Sequence, residues 1–397
     1  MFERITRLPN DPILGLSAAF REDQNPRKVD LGVGVYKTAT GETPVLACVK
    51  QAEQWLLTHE PSKSYIAPVG NADFVSGMTR LIMGDGPLVA AGRVATAQAP
   101  GGTGALRVGA EFVKRCNPKA TVWISSPTWA NHIPLFGEAG LTIKEYPYFD
   151  AATSSVDFAA MRAQLEQLGA DDVVLLHGCC HNPSGADLSA EQWVEVAQLA
   201  KARGFLPFID LAYLGFGDGL VEDAVGVRAL AAHLDEFIVA SSCSKNFGLY
   251  RERVGAISVI AKDAAGAEAA LSHLCNVARG IYSMPPSHGA AVAGLILQSA
   301  ELTASWHDEL AQMRDRINGL RALLASKLNA QDLGRDYEFI QRQRGMFSFL
   351  GLSKEQVGRL KQEFSIYMVD SSRINVAGIN DANVDYVADA VAKVVRG

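Results

Sequence analysis

Two charged residues in the middle of the chain each follow a short apolar run that predicts a buried strand. Asp210 follows the run at residues 206–209, and Lys245 comes soon after the run at 237–241. Ligands of parallel sheets bind at the carboxyl ends of the strands, so both side chains are placed for chemistry. Desolvation lowers the pKa of an amine, and a lysine so placed is the type that forms Schiff bases. Either residue alone is more often a solvated strand end.

Other strand ends carry residues that suit a flat ligand with a phosphate. Residues 101–104 contain three glycines before a predicted helix that starts at Ala105, which lets backbone N–H groups approach an anion. The stricter dinucleotide-binding pattern fails at Arg107, and an ordinary glycine-rich turn explains the segment equally well. Trp129 offers an indole that could stack on a ring, and Asn182 offers an amide donor, although large aromatic residues serve packing first.

The strand ends taken together are more informative than any one of them. Tyr213 adds a phenol after Asp210, His132 adds an imidazole after the run at 121–125, and Arg253 adds a guanidinium after Lys245. Acid, phenol, lysine, arginine, aromatic ring, amide and phosphate cradle are the set that an aldehyde-bearing pyridine phosphate needs.

Size and composition narrow the classes of protein. The 397 residues exceed what one hydrophobic core usually supports, so we expect two structural units or one unit with a large appendage. A formal net charge of −6 without a long basic run argues against nucleic acid as a partner. We find neither a targeting pattern nor an apolar run long enough to cross a membrane, and therefore expect a cytoplasmic protein. The spacing of cysteines and histidines predicts free thiols and no metal site.

The middle of the chain alternates short apolar runs with longer helical patterns, which predicts an α/β fold with a parallel sheet wrapped by helices. The predicted strands are residues 93–98, 121–125, 173–177, 206–209, 237–241 and 256–260, and predicted helices include 105–114, 158–168 and 190–202. An amphipathic pattern at 300–330 predicts a long helix that joins two domains. Strand-like pieces at 345–350 and 372–376 and a terminal helix from Val384 predict a smaller α+β domain.

Ordered motifs span nearly the whole chain. They are DPILGL at 11–16, GVGVY at 32–36, GGTGA at 101–105, CCHNP at 179–183, SKNFG at 244–248, GMFS at 345–348 and RINVAG at 373–378. Together they resemble the class I aminotransferases of fold type I, specifically the aspartate and aromatic amino-acid aminotransferase group. The resemblance implies a large domain with a mostly parallel mixed sheet and a smaller α+β domain. We expect an arm at 1–14, the small domain's first part at 15–45, the large domain at 46–300, and the linking helix and second part at 301–397.

The resemblance implies pyridoxal 5′-phosphate (PLP) as the cofactor. Lys245 would hold PLP covalently and move the substrate's proton, and Asp210, supported by His132, would pair with the pyridine nitrogen. Asn182 and Tyr213 would hydrogen-bond the ring's phenolic oxygen, Trp129 would stack on the ring, and Gly102, Thr103, Ser242 and Arg253 would hold the phosphate.

The same resemblance implies the substrate contacts and a shared site. Arg373 would bind the α-carboxylate in a bidentate fork, and the backbone at Gly34 would close over it. Trp129 and Asn182 would also border the substrate. Tyr65 would complete the phosphate cradle of the neighbouring subunit, and Arg279 would reach the side-chain carboxylate of the neighbour's substrate. Two residues shared in this way imply an obligate homodimer.

Specificity is read from a few positions near these residues. Lys37 and Thr43 match the aspartate enzymes, whereas Met284 and Ser64 stand where those enzymes usually have asparagine. Because methionine is apolar and adaptable, Met284 favours an aromatic ring. We expect transfer from aspartate and from aromatic amino acids (Tyr, Phe, Trp) to 2-oxoglutarate by a ping-pong mechanism. The alternatives are an aspartate aminotransferase with little aromatic activity, a PLP decarboxylase or lyase, and a non-catalytic binding protein on this fold.

Overall fold

The computed structural model describes residues 2–7 and 12–397. The described chain forms two compact units. The terminal unit falls within Met1–Thr43, Pro183–Gly185 and Ile317–Gly397, and the central unit comprises Pro44–Asn182 and Ala186–Arg316. The domain bounds expected from the sequence stay a prediction, and residues 1 and 8–11 of the expected arm lie outside the described residues.

The elements are as follows, in chain order. The strands are β1 (Val29–Asp30), β2 (Val94–Pro100), β3 (Thr121–Ser126), β4 (Thr142–Pro147), β5 (Phe149–Asp150), β6 (Ser155–Val156), β7 (Asp172–His177), β8 (Leu206–Leu211), β9 (Phe237–Ser242), β10 (Val254–Ile260), β11 (Phe347–Phe349), β12 (Ile366–Tyr367) and β13 (Arg373–Asn375). The α-helices are α1 (Pro12–Glu22), α2 (Ala47–His59), α3 (Ala72–Met83), α4 (Pro87–Ala90), α5 (Gly101–Cys116), α6 (His132–Gly137), α7 (Phe158–Leu165), α8 (Ala190–Arg203), α9 (Val225–His233), α10 (Ala264–Ile281), α11 (Ser287–Gln298), α12 (Ala300–Asn329), α13 (Glu338–Arg342), α14 (Lys354–Phe364) and α15 (Val384–Arg396). Short 3₁₀ helices cover Phe2–Arg4, Glu222–Ala224 and Val376–Gly378.

A seven-stranded sheet runs through the described residues of the central unit, in the order β2, β10, β9, β8, β7, β3, β4. Among these strands β10 is antiparallel to both neighbours and the other pairs are parallel, so the predicted mixed, mostly parallel sheet is confirmed. The predicted strands are confirmed with ends shifted by one or two residues. Every residue of β9 and β10 is buried, which agrees with their mostly apolar sequences.

Local sequence signals explain where the helices around this sheet begin and end. Helix α8 starts after a capping box made by Ser189 and Gln192, and it ends at Gly204, whose φ is 85°. The predicted start of α5 at Ala105 is wrong, because the helix already begins at Gly101. A φ of 72° at Gly101, which glycine adopts without strain, turns the chain from β2 directly into the helix.

The terminal unit contains two small sheets and its own core. Strands β1 and β12 pair in parallel, and β11 and β13 pair antiparallel within the segments predicted at 345–350 and 372–376. Helix α15 begins at Val384 as predicted, and its buried valines recur three or four residues apart. The predicted long helix is confirmed as α12, whose residues divide between the two units.

The helices of residues 2–7 and 12–397 include none that is long and apolar enough to cross a membrane. All six cysteines are free thiols, as predicted. One group was not predicted: Cys179, Cys180 and Asp223 have ligand atoms within 4.8 Å of one another. The Asp223 carboxylate accepts hydrogen bonds from the backbone N–H groups of Gly215 and Gly217. The hydrogen bond with Cys180 and burial raise the pKa of Cys179 well above its usual value, so this thiol is protonated in the metal-free protein.

Candidate active site

The topology of the central sheet brings the predicted strand-end residues to one edge. Lys245 follows the end of β9, and Arg253 directly precedes β10. Because β10 runs antiparallel to β9, its start lies at the edge where β9 ends. The prediction that Asp210 follows its strand is wrong, since β8 extends to Leu211. Strand pairing continues past residue 209, because Asp210 pairs with His177 of β7 and with Ala240 of β9.

Asp210 and His132 form a buried pair. The Nε2 atom of His132 lies 3.0 Å from a carboxylate oxygen of Asp210, and the exposed fractions of the two residues are 0% and 7%. Burial by itself raises the pKa of Asp210, but the hydrogen bond and charge of His132 outweigh it, with smaller contributions from His177 and Lys245, so the pKa is lowered. Asp210 is therefore an anion that could face a cationic group.

Lys245 is a partly buried amine at the same edge. Its Nζ atom lies 4.8 Å from the centre of the Tyr213 ring, whose residue is buried. Burial lowers the pKa of Lys245, the negative charge of Asp210 opposes this shift, and the positive charge of Arg253 adds to it. The result is an amine that loses its proton more readily than an exposed lysine, as a nucleophile or base requires.

The start of α5 and the start of β10 together form a cluster of hydrogen-bond donors. The Arg253 guanidinium donates to the Ser244 hydroxyl at 3.3 Å, and the Ser242 hydroxyl lies 3.1 Å from that of Ser244. A Cβ added at Gly101 would lie 2.4 Å from an Arg253 nitrogen, and one at Gly102 would lie 3.1 Å from the Ser242 Cβ. The glycines thus let the Arg253 guanidinium and Ser242 lie close to the backbone of a helix N-terminus, and an anion binds well at such an end beside a cation. Thr103 is in the same first turn.

Trp129 and Asn182 complete the predicted set in the central unit. The partly buried Trp129 ring meets His132 edge-on, with ring centres 5.3 Å apart. Asn182 is buried after a turn at Cys180, a residue with φ of 52°. The carboxylate of Asp187 accepts the N–H of Cys180 at 2.7 Å and that of His181 at 2.8 Å, and so holds this turn. Sequence reasoning missed Asp187, which lies outside the recognised motifs, and Ser244, which lies in the SKNFG motif but was not singled out beside Lys245.

Two histidines behind the Asp210 and His132 pair were also not predicted as site residues. The His177 ring centre lies 5.2 Å from that of His132 and 4.1 Å from that of His181. The Thr128 hydroxyl connects His132 with His177, because it lies 2.8 Å from His132 Nδ1 and 3.1 Å from His177 Nε2. Burial lowers the pKa of His177 to about 3 and that of His181 well below its usual value, so both rings are neutral. The signal available was the position of His177 at the end of a predicted strand.

The residues expected to serve a neighbouring subunit lie on the surface of the central unit. Tyr65 is 90% exposed. Arg279 is exposed and donates to the Ser283 hydroxyl at 2.5 Å. Met284 is partly buried, and its sulfur accepts the backbone N–H of Ile66 at 3.3 Å. Met284 therefore contacts the segment that carries Tyr65, a link that the sequence did not indicate.

Arg373 and Gly34 come together within the terminal unit. Arg373 is 6% exposed and donates to the Gly32 carbonyl at 2.7 Å. Its guanidinium carbon lies 4.5 Å from the centre of the Phe347 ring, and a Cβ added at Gly34 would lie 2.8 Å from the Phe347 Cζ. The Lys37 ammonium pairs with Asp30 at 2.8 Å in the same loop region. Phe347 lies within a recognised motif, but its sequence does not indicate this contact.

The comparisons with known proteins agree on one family. The family model described as aminotransferase class I and II matches residues 26–391. The chain is also 49% identical over 396 residues to an aspartate aminotransferase of Salmonella typhi, with 100% of both chains covered. The chain belongs to the class I and II aminotransferases.

This aminotransferase has relatives of both substrate classes. It is 48% identical over 394 residues to an aromatic-amino-acid aminotransferase of Pseudomonas aeruginosa, covering 99% of this chain and 98% of the relative. It matches a crystal structure of the aromatic-amino-acid aminotransferase of Burkholderia pseudomallei covalently bound to pyridoxal phosphate. The TM-score is 0.97 at 47% identity, with 100% and 99% of the chains covered. The predicted fold and enzyme family are confirmed. Because the aspartate and the aromatic-amino-acid relatives are almost equally identical to this chain, the preferred substrate must be inferred from the residues of the site.

Proposed function

We propose that this aminotransferase uses PLP to transfer the amino group of aspartate and of aromatic amino acids (Tyr, Phe, Trp) to 2-oxoglutarate in a ping-pong reaction. The observation that carries the proposal is the environment of Lys245: an amine of lowered pKa beside the Tyr213 ring and the charge of Asp210. The Burkholderia relative, which holds PLP covalently, supports the choice of cofactor.

The central unit offers a partner that fits each part of PLP. The phosphate fits the donor cluster of Arg253, Ser242 and the start of α5, where Gly101 lets the guanidinium lie close to the helix N-terminus. The pyridine nitrogen fits the anionic Asp210. The Lys245 amine fits the aldehyde. When bound, PLP supplies that aldehyde and a ring that withdraws electrons from the substrate's α carbon.

The side chains around this space have separate tasks in the proposal. Lys245 takes the proton from the substrate's α carbon, and its lowered pKa favours the neutral base more than in an exposed lysine. Asp210 stays ionised because His132 holds it. Asn182 and Tyr213 would donate hydrogen bonds to the oxygen on the ring, and Trp129 would cover the ring face.

The substrate's α-carboxylate is assigned to Arg373 and the backbone at Gly34. A fork on Arg373 fixes the carboxylate, so the bond to the α hydrogen is the one presented for cleavage. This orientation disfavours the decarboxylase alternative. The carboxylate of an aspartate side chain is assigned to Arg279.

Tyr65 and Arg279 are assigned to the site of a second copy of the chain, which makes the proposed enzyme a homodimer. Tyr65 is 90% exposed and Arg279 is exposed, which supports this assignment, because side chains that reach into a neighbouring subunit must lie on the surface of their own chain. The cytoplasmic location stays a prediction.

The choice of aromatic substrates depends on Met284. Its apolar side chain, partly buried beside Ile66, stands where aspartate enzymes usually have asparagine, and it removes one polar neighbour of Arg279. One apolar contact shifts the selectivity between two substrates by about 1–3 kcal/mol. A shift of this size is enough to admit aromatic substrates without excluding aspartate. The alternative remains an aspartate aminotransferase with little aromatic activity.

A half-reaction panel tests the proposal. The purified PLP form is mixed, without a keto acid, with aspartate, glutamate, phenylalanine, tyrosine or tryptophan, and the conversion of its absorbance to that of the pyridoxamine form is followed. We expect stoichiometric conversion by all five. Conversion by the dicarboxylic acids alone would establish the aspartate alternative. Release of CO₂ would contradict transamination, and a lack of absorbance after PLP is supplied would contradict the cofactor.

A further inference from the structure

Phe347 contacts both residues that the proposed function assigns to the substrate's α-carboxylate. Its ring centre lies 4.5 Å from the guanidinium carbon of Arg373. A Cβ added at Gly34 would lie 2.8 Å from the Phe347 Cζ, which is closer than a van der Waals contact. Phe347 is 2% exposed, so its ring is enclosed in the terminal unit. The φ of Gly34 is outside the left-handed region, so the missing Cβ at this position matters for space, not for backbone conformation.

The register of one small sheet produces this arrangement. Strands β11 and β13 pair with Phe347 opposite Asn375 and Phe349 opposite Arg373. Because side chains alternate along a strand, Phe347, Asn375 and Arg373 share one face. The Asn375 amide donates to the carbonyl of Val33 at 2.6 Å and to that of Val35 at 2.8 Å. The two residues that flank Gly34 are therefore fixed to the strand that carries Arg373.

A buried arginine holds the backbone of Phe347 in place. Arg321 is 0% exposed and donates to the Phe347 carbonyl at 2.6 Å, to the Gly345 carbonyl at 2.7 Å and to the Ser348 hydroxyl at 2.8 Å. These charge-assisted hydrogen bonds resist any shift of β11. Because its backbone is fixed by Arg321, the Phe347 ring can hold the Arg373 guanidinium in one position.

We infer that Phe347 is a positioning residue for the α-carboxylate site. Its ring face orients the planar guanidinium of Arg373, and its edge sets the distance to the Gly34 backbone. An arginine that is oriented beforehand loses less freedom when it binds a carboxylate in a fork. The inference rests on the proposed role of Arg373. Since every amino-acid substrate has the α-carboxylate, the effect of Phe347 is independent of the substrate's side chain.

Phe347→Leu tests the inference, because leucine stays apolar but has no ring face. We expect KM for aspartate and for phenylalanine to rise by the same factor of about ten, with kcat changed less than about threefold. The dissociation constant of succinate, a dicarboxylate that cannot transaminate, should rise in parallel. Phe339→Leu is the control, since Phe339 is a buried phenylalanine in the core of the same unit. This control should lower the melting temperature and leave KM unchanged.

Two further variants separate the possible failures. Arg373→Ala should raise KM for both substrates; unchanged values would remove the proposed role of Arg373 and, with it, this inference. If Arg373→Ala raises KM while Phe347→Leu behaves like Phe339→Leu, the inference alone is overturned. Gly34→Ala should raise KM in the parent but have a smaller effect in the Phe347→Leu background, where the added methyl has space. If the leucine variant does not fold, Phe347→Met takes its place in the same comparison.

Discussion

The imidazole of His132 lies 3.0 Å from the carboxylate of Asp210 in a buried position, and this contact keeps Asp210 ionised against the cost of burial. An ionised carboxylate at this edge is what a protonated pyridine ring requires. The contact also depends on Thr128, whose hydroxyl lies 2.8 Å from the other nitrogen of His132.

Loss of this contact should narrow the pH range of the enzyme. In His132→Ala the pKa of Asp210 rises, so the acid limb of the kcat/KM profile moves to higher pH, and turnover at neutral pH falls about tenfold. His132→Gln is the matched control, because its amide can still donate a hydrogen bond to Asp210 without carrying charge. We expect it to lie between the parent and His132→Ala. An acid limb at the same pH in all three proteins would show that His132 does not control Asp210.

Lys245→Ala should abolish turnover without abolishing cofactor binding. Removal of a general base typically costs about 10²–10⁴ in rate, and the covalent link is lost as well, so we expect the upper end of that range. Bound PLP should persist through the donor cluster at Arg253, and equilibrium dialysis followed by absorbance measures it. Lys262→Ala, at an exposed lysine of the same unit, is the control and should retain normal turnover. Turnover of the Lys245 variant within tenfold of the parent would refute its assignment as the base.

Much of this site follows from sequence because of one topological rule. Lys245, Asn182 and Trp129 could be placed together since their strands are parallel and end at one edge. The position of Arg253 at this edge requires that β10 run antiparallel to β9. The turn at residues 243–253 reverses the chain, and no sequence pattern predicts its path. The start of α5 was missed because glycine ranks low as a helix former, although Gly101 is needed for its positive φ.

Contacts set by register were not predictable in the same way. The contact between Phe347 and Arg373 requires the pairing of β11 with β13, strands of three residues that lie about 25 positions apart, and a shift of one residue would reverse every side chain. His177 was read only as the end of a strand, since its partners Thr128 and His181 come from other parts of the sheet edge. Tertiary pairing thus supplied what residue type and spacing could not.

Arg279→Ala should damage the reaction of aspartate far more than that of phenylalanine. Loss of charge-assisted hydrogen bonds to a carboxylate costs about 1.5–3 kcal/mol, so kcat/KM for aspartate should fall about 10- to 150-fold. The value for phenylalanine should change less than about threefold. Arg228→Ala, an exposed arginine of α9, is the control and should change neither. Equal losses for both substrates would mean that Arg279 does not bind the side chain.

Two substitutions of Met284 separate its apolar character from its hydrogen bond to Ile66. Met284→Asn should move the ratio of kcat/KM values toward aspartate by about tenfold, because it restores a polar neighbour for Arg279. Met284→Leu stays apolar but cannot accept the Ile66 N–H, and it should leave the ratio close to that of the parent. If the asparagine variant keeps the parent's ratio, Met284 is not the reason for aromatic activity. If both variants shift the ratio equally, the polarity of the side chain at position 284 is not what controls it.

His177 should make the protein less stable as the pH falls. Burial, aided by the charge of His132 and opposed by that of Asp210, lowers its pKa to about 3, against an ordinary value of 6.5. Between these values the unfolded chain binds more protons than the folded one, so the free energy of unfolding decreases as pH falls through this window. His177→Gln removes that group and should flatten the decrease by up to about 1.4 kcal/mol per pH unit. Urea unfolding of the PLP form between pH 4.5 and 7.5 measures the slope. The exposed His273→Gln serves as the control. A slope for His177→Gln equal to that of the parent would show that the pKa of His177 is the same in the folded and the unfolded protein.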